Sequence, residues 1–401
     1  MAKLQVNQDK VGNIEELIKI CPFGALENNK GKLDINASCK MCKICVNKGP
    51  KGAVEYIEDE KKELIDKSKW KGIAVYVEHS EGEIHPVTYE LVGKARELAN
   101  KVNQEVYCIF IGNNIKVKAK ELLHYGVDKV YVYDDFELND FRIEPYTAMF
   151  ENFIDEIKPS VILVGATTLG RSLAPRIAAR YKTGLTADCT VLDIKENTDL
   201  IQIRPAFGGN IMAQIITPNS RPQLATVRYK VMLAPERTEE AAGRVVICNV
   251  AEEKLKSDIV VKSVKTKKKE KSISDSEVLV VAGRAIKTEK EMIMIKELAN
   301  LLGGEVAVTR PLIESGLEDG SKQVGLSGRT VRPKLIITCG VSGAVQFTAG
   351  MNNSEYIFAI NKDEKAPIFK VAHYGIVGDV HEILPQLIDK IKKNGGIVNA
   401  I

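Results

Sequence analysis

Leu335-Ile-Ile-Thr-Cys339-Gly340-Val-Ser342-Gly343-Ala344 decides the fold. Its first five residues show no polar alternation and read as a strand buried on both faces. Gly340 ends the strand, and Val341-Ser342-Gly343 leads into a helix opening at Ala344. A strand that runs through glycines into a helix is the repeating joint of a parallel sheet covered by helices.

The joint recurs on both sides. Upstream, Val278 to Ala282 is an expected strand ending in Gly283-Arg284, followed by a helix over 290–302 and a strand over 305–308. Downstream, strands are expected over 356–360 and 368–371 and a helix over 380–393. Residues 275–401 thus read as one compact α/β domain. Further upstream, strands over 72–77, 105–111, 127–133 and 161–165 alternate with helices over 88–102 and 166–181. That pattern predicts a second α/β domain over 70–262, again with a mainly parallel sheet. Short strands at 201–203, 211–216 and 225–227 predict an antiparallel extension of it. Lys262 to Lys271, with lysines at 265, 267, 268, 269 and 271, reads as a solvated linker between the two domains.

Loops at the strand ends of the last domain are rich in glycine, serine and arginine: Gly283-Arg284, Val324-Gly-Leu-Ser327-Gly-Arg329, and Gly340 to Ala344. Glycine lets backbone N–H groups approach an anion, and helix starts point N–H groups at it. Such loops gather at the carboxyl edge of an open sheet, where nucleotides bind. G-x-G-x-x-G and Walker patterns are absent from the sequence. Gly340-Val-Ser342-Gly-Ala344 approximates a nucleophile elbow, with Asp379 and His381 following in order, but alanine stands where the elbow needs glycine. A hydrolase also gives no reason for the cysteines that open the chain.

Those are Cys39, Cys42 and Cys45, spaced C-x2-C-x2-C, and a remote Cys21 followed by Pro22. Three thiolates so spaced wrap one corner of a [4Fe–4S] cubane, and a distant Cys-Pro supplies the fourth ligand, as in bacterial ferredoxins. Zinc sites usually pair cysteines in two separate couples instead. Cys21-Pro22-Phe23-Gly24-Ala25 resembles the end of a first cysteine run whose three leading members are missing. The second run is intact, but its own Cys-Pro has become Gly49-Pro50. The losses are reciprocal: one cluster keeps every ligand, the other none. Residues 1–66 therefore resemble a small ferredoxin-like α+β domain reduced to one cluster. A charged stretch, Glu58 to Glu63, reads as its linker or a solvated helix.

At 401 residues, with 44% hydrophobic and 27% charged residues, the chain fits two or three globular domains. A net charge of +4 is too small to argue for nucleic acid, and no nucleic-acid partner is expected. No apolar run reaches the roughly 18 residues of a membrane span, and Met1-Ala-Lys-Leu4 lacks a signal peptide's apolar core. Cys108, Cys189, Cys248 and Cys339 read as small core residues. Both sets of cysteines fit a reducing cytoplasm.

Cys339-Gly-Val-Ser342-Gly343-Ala344-Val345-Gln346-Phe347-Thr-Ala-Gly350-Met351, Ala359-Ile-Asn361-Lys362-Asp363, Ala366-Pro-Ile-Phe369 and Tyr374-Gly-Ile-Val-Gly-Asp379 resemble the C-terminal signature of electron-transferring flavoprotein alpha subunits. The likeness extends through Val164 to Arg176 and Arg204 to Asn210, and so covers most of 72–401. The resemblance implies a Rossmann-like FAD domain. Arg284, Thr309 and Arg310 would line the FAD, with Arg310 over the flavin ring. Val324, Gly325, Leu326 and Ser327 would meet the isoalloxazine, the Ser327 hydroxyl facing flavin N5. Ser342, Gly343, Ala344, Val345 and Gln346 would wrap the pyrophosphate and ribityl chain. Asn361, Asp379 and Val380 would meet the adenosine half. The family commonly places histidine near the flavin O2 where this chain has Phe347, which cannot donate a hydrogen bond. Holding charge there would then fall to Arg310 and the Gly343–Ala344 amides.

The middle domain of this family pairs with a homologous beta subunit. Members with an added cluster domain resemble subunits of electron-bifurcating complexes. The resemblance thus implies a heterodimer that passes single electrons between an NAD(H)-linked flavin, ferredoxin and a flavin-dependent dehydrogenase. A lactate dehydrogenase is the expected partner. The alternatives are an acyl-CoA or enoyl-CoA (caffeyl-CoA) reductase, or a plain, non-bifurcating carrier. No complete active site is expected on this chain itself.

Overall fold

The structure, a computed structural model, describes residues 3–57, 65–209, 211–265 and 272–393. Glu58 to Glu63 and most of the lysine run lie outside the described residues. The chain forms two compact units, Met1–Ile65 and Asp66–Ile401.

In the small unit, strands Lys3–Val6 and Val54–Ile57 pair antiparallel. Between them lie helix Ile14–Ile20, the hairpin Leu26–Asn29 with Lys32–Ile35, and helix Ile44–Lys48. This is strand–helix–strand repeated, the ferredoxin-like order. Asn13 starts the first helix by accepting the Glu15 N–H. Leu17 turns inward and packs with Val11, Leu26, Leu33, Cys45, Ala53 and Val54. The two helices end alike. Cys21 caps the first and Gly49 the second, each returning its N–H to its own last turn, on Ile18 and Cys45 respectively. Cys21-Pro22 and Gly49-Pro50 therefore hold equivalent places in the two half-repeats. A Cβ on Gly49 would stand 2.5 Å from the Cys45 carbonyl oxygen and 2.8 Å from Leu17 Cδ2.

The large unit carries two parallel sheets. The first has seven strands in the spatial order Leu185–Cys189, Gln223–Val227, Val161–Gly165, Ile73–Val77, Val106–Gly112, Lys129–Asp134, Arg244–Ile247. Every neighbouring pair is parallel. Helix Pro86–Val102 begins on a proline behind the His85 cap and buries Val87, Leu91, Val92, Ala95, Leu98 and Ala99 at helical spacing. Each of the valines and leucines among them contributes about 1.5–3 kcal/mol when fully buried. The antiparallel extension exists, but as Val191–Ile194, Leu200–Ala206 and Ile211–Ile215. Ala225–Val227, expected within it, belongs instead to the strand Gln223–Val227, inside the parallel sheet. All five residues of that strand are buried, because it has neighbours on both sides and layers on both faces.

The second sheet is the expected α/β unit. Its strands lie in the order Glu305–Val308, Val278–Ala282, Leu335–Cys339, Tyr356–Asn361, Tyr374–Val377, which is 2-1-3-4-5 in chain order, all parallel. Helices Glu289–Leu301 and Val380–Lys393 pack on one face with Val280, Ile337 and Ile360. One expected strand is absent: Ile368–Val371 does not pair, and Pro367–Lys370 forms a turn of 3-10 helix. Pro367 fixes its φ at the first position, and the Ile368 N–H donates to the Ser342 carbonyl at 3.1 Å rather than to a strand. The fifth strand is Tyr374–Val377, an edge strand exposed along its length. Among the described residues, no helix is long and apolar enough to cross a membrane.

Candidate cofactor sites

The five strands of the second sheet all release their chains at the same edge. Arg284, Thr309 with Arg310, Ser342 with Ala344 and Asp379 with Val380 follow one strand each, Asn361 ends the remaining one, and together they line a cleft of about 990 Å³. It includes the switch point, where the strand order reverses between Val278–Ala282 and Leu335–Cys339. Every residue that the resemblance assigns to FAD lines this cleft except Gly343 and Val345. Gly343 is buried, with φ +82, and a Cβ there would stand 2.2 Å from the Ile368 amide nitrogen. It lets the loop after Cys339 approach the Ile368 backbone closely. Val345 is 40% exposed and lies toward Gly209, where an added Cβ would stand 3.7 Å from its methyl group.

The lining is cationic: Arg284, Lys287, Arg310 and Lys362 outweigh Asp363 and Asp379. Arg310 opens a short helix and pairs with Glu314 at 2.8 Å. The Asp379 carboxyl is held below its usual range, first by the His381 N–H and then by the His381 ring. His381 meets Asp379 at 2.7 Å through Nδ1 and Glu291 at 3.1 Å through Nε2. Both ring nitrogens are therefore engaged by carboxylates, and the hydrolase reading, which needs that ring at Ser342, fails. Asn361 donates to the Val341 carbonyl at 2.7 Å and accepts the Asp363 N–H, so it shapes the loop as well as lining the cleft. Phe347 is 6% exposed and packs with Val324, Val341 and Ile368. It offers the cleft an apolar edge with no donor.

Sequence reasoning missed Gly208, Lys287, Gln323 and Lys362 as lining residues. Gly208 and Lys362 lie inside stretches quoted for the family likeness, which was the available signal. Lys287 and Gln323 lie in unremarkable loops and gave none.

In the small unit, Cys21, Cys39, Cys42 and Cys45 line one small pocket with Pro22, Phe23, Lys40, Lys43 and Ile44. Two backbone N–H groups already point at sulfur: Ala25 to Cys21 at 3.3 Å and Met41 to Cys39 at 3.4 Å. Burial pushes the Cys21 thiol up, but the N–H groups of Ala25, Phe23, Leu26 and Gly24 outweigh it and hold the thiol below its usual value. Burial also pushes up Cys45, and the charges of Cys39, Cys42 and Cys21 add to the effect. The four thiols share this pocket, with N–H donors aimed at two of the sulfurs, the donor set that a thiolate-bound cluster would need. Among the described residues, no group of three or more His, Cys, Asp or Glu side chains is arranged to hold a metal ion.

A doubly wound sheet with a cationic cleft at its switch point defines the class: an α/β protein that binds a nucleotide cofactor. Residues 73–253 match the electron transfer flavoprotein domain, and residues 272–352 match the electron transfer flavoprotein FAD-binding domain. The chain is 57% identical over 394 residues to the lactate dehydrogenase (NAD(+),ferredoxin) subunit LctC of Acetobacterium woodii, covering 98% of this chain and 94% of that protein. It is 45% identical to the electron transfer flavoprotein subunit alpha of Megasphaera elsdenii, over 83% of this chain and 100% of that one. It is 40% identical to the acryloyl-CoA reductase electron transfer subunit beta of Anaerotignum propionicum, over 82% of this chain and 97% of that one. The chain belongs to the electron transfer flavoproteins, as an alpha-type subunit, and the cofactor of this family is FAD.

Proposed function

We propose that this chain is the alpha subunit of a bifurcating or confurcating complex. With a beta subunit it passes single electrons between an NAD(H)-linked flavin, ferredoxin and a flavin-dependent lactate dehydrogenase. The observation that carries this reading is coverage. The likeness to the Acetobacterium woodii subunit runs over 98% of the chain. The Megasphaera elsdenii and Anaerotignum propionicum proteins match 83% and 82% of it, though nearly all of their own length is used. A likeness over 98% takes in the cysteine unit, and one that leaves out about 70 residues has room to omit it. That favours lactate over acyl-CoA as the partner's substrate.

In this reading the chain works in three parts: a cluster domain over 1–66, a beta-pairing domain over 70–262 and an FAD domain over 275–401. When bound, FAD and a [4Fe–4S] cluster supply reversible one-electron chemistry. The chain's own residues do the holding. Cys21, Cys39, Cys42 and Cys45 present four thiolates, with Ala25 and Met41 N–H groups to steady the sulfurs. Arg284, Lys287 and Lys362 line the cleft as cations that would suit a diphosphate, beside Ser342 to Gln346, and Arg310 and Ser327 would meet the flavin ring. In this reading the reaction belongs to the complex rather than to this chain. Eight free cysteines fit a reducing cytoplasm.

The test uses the anaerobically purified heterodimer with its dehydrogenase. Ferredoxin reduction by NADH should require pyruvate, the acceptor of a lactate dehydrogenase. Turnover that ignores ferredoxin would establish the plain carrier. Dependence on an enoyl-CoA in place of pyruvate would establish the acyl-CoA alternative.

A further inference from the structure

A serine hydroxyl has one proton and two acceptor sites, so its orientation needs a cause. At Ser327 the cause is visible. Gln323 Nε2 donates to Ser327 Oγ at 2.7 Å, and both residues line the cleft. That bond fills an acceptor site and leaves the hydroxyl proton to be donated elsewhere. Gln323 is itself firmly seated. It is 9% exposed, bridges to Val308, and accepts the Arg329 N–H on its carbonyl at 2.7 Å. A Cβ on Gly328 would stand 2.3 Å from that carbonyl oxygen. The Gly325 N–H closes the loop onto Arg329, and the Leu326 N–H ties it to the Gln346 carbonyl at 2.7 Å. The loop over 323–329 is thus braced at its root and at its tip, with Ser327 exposed on the cleft side.

We infer that Gln323 is a positioning residue for the flavin: its carboxamide fixes the Ser327 hydroxyl as a hydrogen-bond donor toward the ring. The inference rests on the reading that seats the flavin at Ser327. A donor at flavin N5 favours the forms in which that nitrogen carries no proton, and loses its partner once N5 is protonated. It therefore raises the potential for the first electron relative to that for the second.

The experiment measures both one-electron potentials by spectroelectrochemistry on the FAD-loaded heterodimer. It compares Gln323→Leu, Gln323→Glu, Ser327→Ala and the double variant Gln323→Glu/Ser327→Ala. Ser327→Ala should lower the first potential by about tenfold in the equilibrium constant, or 59 mV for one electron. Gln323→Glu should match it, because a carboxylate accepts the serine proton and turns the hydroxyl away. Gln323→Leu should shift it in the same direction by less. The double variant should move no further than Ser327→Ala alone. A Gln323→Glu shift that persists in full on the Ser327→Ala background reports added charge only and overturns the inference. So do unchanged potentials in both Gln323 variants. Unchanged potentials in Ser327→Ala instead remove the flavin from Ser327 and sink the underlying reading. FAD content and thermal midpoint, read on each variant, separate these outcomes from misfolding.

Discussion

The thiol pocket of the small unit and the cleft of the large one are built in opposite ways. The pocket depends on four side chains, and the backbone assists by pointing N–H groups at sulfur. The cleft depends on where five strands stop, and its wall is shared among many residues of the loops at their ends. A site made of side chains fails outright when one atom is removed. A site made of strand ends fades gradually, because no single residue owns it.

The largest expected effect falls on the pocket. Cys42→Ala should abolish bound iron and sulfide and the broad visible absorption, while the FAD content per chain stays at the wild-type value. Metal analysis and the flavin spectrum check this together. Loss of FAD in the same variant would break the contrast, because it would make the two sites one cooperative structure.

Arg310→Ala should have an intermediate effect. FAD should remain bound, and its potential should fall, since a positive charge that favours the reduced anion is gone. Arg310 is two-thirds exposed and already paired with Glu314, so solvent and partner screen it. About 1 kcal/mol, or roughly 40 mV for one electron, is the expected scale. An unchanged potential would remove Arg310 from the flavin.

The smallest effect tests the scaffold around the seven-stranded sheet of the large unit. Glu90 is 7% exposed and accepts the Lys230 N–H at 3.0 and 3.2 Å. Burial, partly opposed by that N–H, pushes its carboxyl up to about 7. The folded state therefore holds this proton more tightly than the unfolded chain does. Its contribution to stability is full below about pH 4.5, the ordinary glutamate range, and is lost as pH rises through about 7. Glu90→Gln should flatten that decline and raise the thermal midpoint at pH 8 by roughly 2–4 °C. Iron and FAD contents should not change; a change in either would tie the scaffold to a site.

The same contrast explains what could be read from the amino-acid order. Cysteine spacing is visible without a fold, and the four thiols that it singled out do line one pocket. The parallel sheets were legible because their strands are unbroken apolar runs, and Val161–Gly165, Val278–Ala282 and Leu335–Cys339 match their expected limits. Ala225–Val227 was placed in the wrong sheet because a short strand carries no record of its neighbours. Ile368–Val371 looks like a strand by composition, but Pro367 and the Ser342 carbonyl turn it into a helical turn. At the cleft, glycine marked the right loops without saying which glycine faces a ligand. Gly343 makes room for the Ile368 backbone, and Gln323 gave no signal at all, because its importance lies in one hydrogen bond.

Gly49 carries a consequence for any attempt to refit the small unit. The helix carbonyl of Cys45 and the Leu17 methyl group already occupy the volume a side chain would need there. A lone Gly49→Cys exchange would meet a wall of hydrocarbon and main chain, and the three leading thiols of the other half, with which it would have to act, are missing as well. Were the proposed single cubane its whole capacity, the unit would store one reducing equivalent, so anything delivered in pairs would have to queue.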